Sequence, residues 1–151
     1  MINEQLTPNF SLRELTRSEF GERRGWLNMP TPEALANLRK TAEGLERIRA
    51  LAGRPIVVQS GYRMPALNGA IGGAQNSQHV TGQAADINAG GLSPRALAEL
   101  IRGAITQLGV DQLILEYPDN CGWVHVSFAP KPRGQVLTKL SGRPYLPGLV
   151  A

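Results

Sequence analysis

The spacing of apolar residues divides the chain into helical and extended segments. Leu35, Leu38, Ala42, Leu45 and Ile48 recur at intervals of three and four, the period of one buried helix face. Thr31-Pro32 ahead of them reads as an N-cap with a first-turn proline, and Gly53 as a stop, which predicts a helix from there to about Leu51. Ser93-Pro94 repeats the start signal. Leu97, Ile101, Ala104, Ile105 and Leu108 then predict a second amphipathic helix that ends before Gly109. Ser11 and Glu14 have capping-box spacing and open a short helix from Leu12 to about Ser18.

Strands are predicted at Ile56 to Gln59, Ala84 to Asn88, Gln112 to Tyr117 and Trp123 to Phe128, with 118–122 as a hairpin loop between the last two. From Ser60 to Gly82 the pattern fails, and a long irregular stretch inside a small domain is often functional. Beyond Ala129, Pro130, Pro132, Pro144 and Pro147 predict an extended tail over 130–151 with at most one edge strand. The expected fold class is α+β: a single small domain spanning 1–151, with an antiparallel sheet and flanking helices.

Composition changes this picture little. The chain has 151 residues, 42% hydrophobic and 19% charged, which suits one ordinary soluble domain with its own core. Sixteen Lys and Arg against twelve Asp and Glu give a net charge of +4, a mild preference for an anionic surface. No basic run marks a nucleic-acid patch, so no nucleic acid is expected as a partner. Cys121 is the only cysteine, which excludes an intramolecular disulfide, and it reads as a tolerated loop thiol. No apolar run approaches the roughly 20 residues of a membrane span. The first residues do not have the pattern of a signal peptide. Nothing in the sequence addresses oligomeric state.

The chemistry concentrates around two histidines. His79 ends a polar, glycine-bracketed loop, with Asp86 seven residues later. His125 lies in the alternating run Trp123-Val124-His125-Val126-Ser127, where it points with Trp123 and Ser127 and away from the two valines. Two imidazoles and a carboxylate form a set that zinc accepts, as do other divalent ions including iron. A structural role for either histidine fits the spacing as well.

The longer pattern is more specific. Ser77-x-His79-x-x-Gly82-x-Ala84-x-Asp86, followed by Trp123-Val124-His125-Val126, resembles the zinc D-Ala-D-Ala carboxypeptidase family of peptidoglycan metallopeptidases. So do Ser60-Gly61-Tyr62-Arg63-x-Pro65-x-x-Asn68 and the opening Asn9-Phe10-Ser11-Leu12-Arg13-Glu14-Leu15. The resemblance extends over residues 8 to 129 and is closest to the small single-domain branch that includes phage endolysins. It implies a hedgehog/DD-peptidase-like fold, zinc held by His79, Asp86 and His125, and Arg63 beside the scissile carbonyl.

Some members of that family carry Glu-x-x-His at the late histidine, but here the glutamate position is Gly122. Glu116 and Asp119 are the remaining candidates for the general base, with Glu116 favoured because it ends an apolar strand beside that of His125. The related hedgehog fold also has a glutamate on that preceding strand. Ser77, Asn88 and Trp123 are candidate substrate contacts; Ser77 also suits a loop cap and Trp123 a core aromatic. The resemblance implies hydrolysis of peptidoglycan stem peptides by a D-Ala-D-Ala carboxypeptidase or endopeptidase. An endolysin would accumulate in the cytoplasm and act on the wall after release. The alternative is a non-catalytic zinc module of the same fold, binding wall or built into a phage tail.

Overall fold

The computed structural model describes residues 3–150. A short antiparallel pair, β1 (Gln5–Thr7) and β2 (Phe10–Ser11), leads into α1 (Leu12–Thr16) and α2 (Glu19–Arg23). The capping box forms as its spacing requires: the Ser11 hydroxyl accepts from the Glu14 amide, while the Glu14 carboxylate accepts from Ser11 N–H at 2.8 Å. Helix α3 (Pro32–Ala52) starts with Thr31 accepting from Ala34 N–H and stops at Gly53 in the left-handed region, φ 65°. Leu38, Ala42, Leu45 and Ile48 on its inner face are fully buried, whereas Leu35 is only partly so.

Six strands form the main sheet, in the order β3 (Ile56–Ser60), β4 (Ala84–Ala89), β6 (Trp123–Phe128), β5 (Val110–Glu116), β7 (Gln135–Lys139), β8 (Tyr145–Pro147). All neighbours are antiparallel except β5 and β7, so the sheet is mixed and not antiparallel throughout. Between β3 and β4 the one regular piece is α4 (Pro65–Ala70). The single helix expected after Ser93 is broken into α5 (Pro94–Gly103) and α6 (Ile105–Leu108). Ala104, at φ −128°, interrupts the ladder directly after Gly103, a residue with low helix propensity.

The C-terminal segment departs further from expectation, since it supplies two strands where at most one was expected. Gln135 to Lys139 pairs residue for residue with β5, and the prolines of the segment are confined to the irregular connections and to the edge strand β8. Ala85, Ile87, Val124, Val126, Leu113 and Leu115 point from the sheet into the helix-covered core. Their neighbours Asp86, His125, Ile114 and Glu116 therefore occupy the opposite face.

Candidate metal centre

That opposite face is the floor of a cleft of about 660 Å³, whose wall includes Arg63, Ser77, His79, Glu116 and Trp123. Register brings the first two donors together: Asp86 on β4 is the direct partner of His125 on β6. His79 arrives from the loop before β4, fixed by its own backbone, whose carbonyl accepts from Arg63 N–H at 3.0 Å. All three side chains are buried.

The atoms converge on one carboxylate oxygen. Asp86 Oδ1 lies 3.2 Å from His79 Nε2 and 3.1 Å from His125 Nδ1, and the three donor atoms all fall within 4.8 Å of one another. His79 Nδ1 is 2.7 Å from the Gly61 carbonyl, an oxygen that can only accept, so that nitrogen carries the proton. On a neutral ring Nε2 is then a lone pair facing a carboxylate oxygen, an arrangement that needs a cation between them. In a tetrahedral zinc site with bonds near 2.0–2.1 Å, ligand atoms sit roughly 3.3 Å apart. The donor chemistry and the spacing both fit a divalent metal, and the Gly61 carbonyl is the kind of partner that fixes a ligating imidazole.

Burial alone would raise the Asp86 carboxyl, but His79 and His125 outweigh it and hold the group well below the usual carboxylate range. Glu116 behaves in the opposite way. Its Oε1 is 4.0 Å from His125 Nδ1, and burial, reinforced by the Asp86 charge, pushes its carboxyl up to about 7. Two carboxylates in one cleft are thus driven apart in acidity, the separation expected of a ligand and a proton carrier. Asp119 lies in the exposed hairpin loop, within 3.4 Å of Ser141, and is absent from the cleft wall.

The glycine at position 122 has a steric cause. A Cβ there would stand 1.9 Å from the Glu116 carbonyl oxygen, so no side chain fits where the hairpin folds back on β5. Glu116 on the neighbouring strand occupies the cleft instead.

Arg63 is half-buried. Burial draws its guanidinium down from the ordinary arginine range, and Asp86 and Glu116 oppose that pull. Ser77 Oγ accepts from His79 N–H at 3.3 Å and lies 3.5 Å from Arg63 Nη2, so its hydroxyl stitches the loop as well as facing the cleft. Trp123 lines the cleft against Tyr117, with ring centroids 5.3 Å apart. Asn88 does not belong to this wall: it lies further along β4, opposite the exposed Val57. The cleft therefore reaches Asp86 on this face of β4 but not the end of that strand.

Two polar anchors escaped the sequence reading. The buried Asn28 donates to the Thr16 and Tyr62 carbonyls at 2.8 Å each and accepts from Met64 N–H, so it brackets Arg63. The buried Asp111 on β5 accepts from Gln78, next to His79, and from Arg133. Neither has a local signature, since their partners lie far away along the chain.

Residues 8–127 match the sequence model of the Peptidase M15 family. A Zinc D-Ala-D-Ala carboxypeptidase from Streptomyces albus G is 37% identical over 102 residues, which cover 66% of this chain and 39% of that protein. This chain therefore matches about two fifths of that relative's length. With a family match running from before α1 into β6 and including all three convergent donors, the chain belongs to the peptidase M15 family.

Proposed function

We propose that this domain is a zinc-dependent peptidase that hydrolyses stem peptides of bacterial peptidoglycan, as a D-Ala-D-Ala carboxypeptidase or endopeptidase of the endolysin type. The observation that carries the reading is the gathering, in one cleft, of a three-donor metal set, a carboxyl raised to about 7 and a half-buried guanidinium. The similar Streptomyces protein is named for zinc and for D-Ala-D-Ala, and the net charge of +4 suits an anionic wall polymer.

His79 Nε2, Asp86 Oδ1 and His125 Nδ1 would hold the zinc ion. Bound there, zinc supplies Lewis acidity that lowers the pKa of water and polarises a carbonyl oxygen. Glu116 then takes a proton from the attacking water and passes it to the leaving amine, a task suited to a carboxyl that titrates near neutrality. Arg63, held by its own backbone contact to His79 and between Tyr62 and Met64, which Asn28 binds, directs its guanidinium at the oxygen that gains charge. Burial of Asp86 and His79 keeps bulk water from screening these charges.

Digestion of purified muropeptides with zinc-loaded protein, followed by mass analysis of the products, tests the reading. Release of D-alanine, or cleavage at a cross-link or at L-Ala-D-Glu, supports it and names the bond. A folded, zinc-loaded protein that leaves every muropeptide intact would instead point to a binding module.

A further inference from the structure

The cleft does not end at the metal donors. Asp86, His125, Ile114 and Leu137 are consecutive register partners across β4, β6, β5 and β7, so the floor continues two strands, roughly 10 Å, beyond His125. Ile114 and Leu137 make this extension apolar. On its flank Gln112 pairs with Gln135, Nε2 to Oε1 at 2.8 Å. This wall uses residues after 127, where the family match stops.

Arg133 stands at the same flank, and its setting is unusual for a surface arginine. To reach β7, parallel to β5, the chain leaving β6 must cross the start of β5. There the buried Asp111 catches it. Arg133 N–H and Nε donate to Oδ1 at 2.8 and 2.9 Å, Nη2 donates to Oδ2 at 2.8 Å, and Gln78 Nε2 donates to Oδ2 at 3.0 Å. Four donors saturate the carboxylate. They use only one edge of the guanidinium, and Nη1 has no hydrogen-bond partner among the described residues. The Arg133 side chain remains 54% exposed while that of Asp111 is 3% exposed, and Arg133 lines the cleft. A surface ion pair contributes little to stability, whereas a guanidinium fixed along one edge loses little freedom when its other edge takes a carboxylate.

We propose that Arg133, held by Asp111, is a specificity residue that receives a free carboxylate of the peptide, at the end of β5 opposite Glu116. This rests on the peptidase reading above. Gln112 and Glu116 are four residues apart on the strand, roughly 13 Å, so the carboxylate it takes lies several atoms from the scissile bond and is not part of it. The Ile114–Leu137 strip between them is apolar and suits a small apolar side chain such as the methyl of alanine.

The test uses a panel of wall pentapeptides in which each free carboxylate is amidated in turn. Binding is measured by calorimetry to the zinc-loaded protein in a Glu116→Gln background, and kcat and KM are measured with Glu116 intact. Amidation at one position is expected to weaken binding about 10- to 100-fold, the range for losing a charge-assisted hydrogen-bond pair, and to raise KM more than it lowers kcat. Arg133→Ala should lose the same factor for the unmodified peptide and no longer distinguish the amidated one. Arg133→Lys, which keeps the charge without the fork, should recover only part of it. Equal affinity of the wild-type arginine for all members of the panel, or an Arg133→Ala loss that is the same for every member, would overturn the proposal. Discrimination in binding without cleavage of any peptide leaves Arg133 in place and removes the peptidase reading. Cleavage without discrimination does the reverse, and absence of all binding overturns both.

Discussion

The two faces of the central strands follow opposite rules. On the helix side, Ala85, Ile87, Val124, Val126, Leu113 and Leu115 are apolar and have no exposed surface. One residue away in each strand, Asp86, His125 and Glu116 put a carboxylate, an imidazole and a raised carboxyl against a cleft. The first face holds the sheet to α3 and α5. The second gathers carboxylates, imidazoles and other desolvated polar groups, a costly arrangement that a cation and a substrate would complete. Side-chain parity thus separates the residues that make the fold from those that make the chemistry, within the same few residues of chain.

Substitution on the cleft face should remove activity and spare the fold. Asp86→Ala is expected to lower muropeptide cleavage by at least about 10⁴-fold, because the carboxylate shared by both histidines is lost, with little change in thermal unfolding of the metal-free protein. Loss of the cooperative unfolding transition in that variant would break the division between faces. Glu116→Gln should lower kcat by about 10²- to 10⁴-fold with KM little changed, as steady-state kinetics would show. If activity is retained, the proton carrier is not Glu116.

On the other face the order reverses. Ile87→Ala, beside Asp86 but pointing into the core, should cost about 2–5 kcal/mol of stability in a denaturant titration. Below its lowered melting temperature the variant should still hold metal.

A smaller effect tests the anchor between the faces. Hydrogen bonds from Arg133 hold the Asp111 carboxyl down at about 2, from an ordinary 3.8. Because the folded value is the depressed one, this stabilisation is complete above pH 4 and is lost as pH falls from there towards 2. It amounts to on the order of 2 kcal/mol. Asp111→Asn should flatten the acid limb of a stability–pH curve over that interval. An unchanged limb would mean that the pair forms equally in the unfolded chain.

How far the sequence foretells this arrangement follows from the range of each signal. Helix α3, with its cap, proline and stop, is encoded by neighbours within a few residues, and it forms nearly as the spacing predicts. The Trp123–Phe128 alternation likewise announces which face His125 occupies. The convergence of His79 with Asp86 and His125 was legible through the longer pattern around them, and bare spacing left it open. What was not legible depends on distant pairing. The β5–β7 pairing leaves no mark in a segment rich in proline, so the sequence predicts a tail with at most one edge strand where two form. Asn28 reaches Tyr62, and Asp111 reaches Gln78 and Arg133, across intervals that carry no periodicity. Asn88 lies outside the cleft wall for a related reason: parity gives the face of a strand but not how far along it a cleft extends.

The central claim is that one buried carboxylate and two imidazoles form a metal site independent of the proton carrier beside them. Zinc stoichiometry and affinity, measured in parallel on wild type, Asp86→Ala, His125→Ala and Glu116→Gln, test it most directly. The account predicts about one zinc per chain in wild type and Glu116→Gln, and none retained by the first two variants. Tight zinc in Asp86→Ala, or its loss in Glu116→Gln alone, would contradict it.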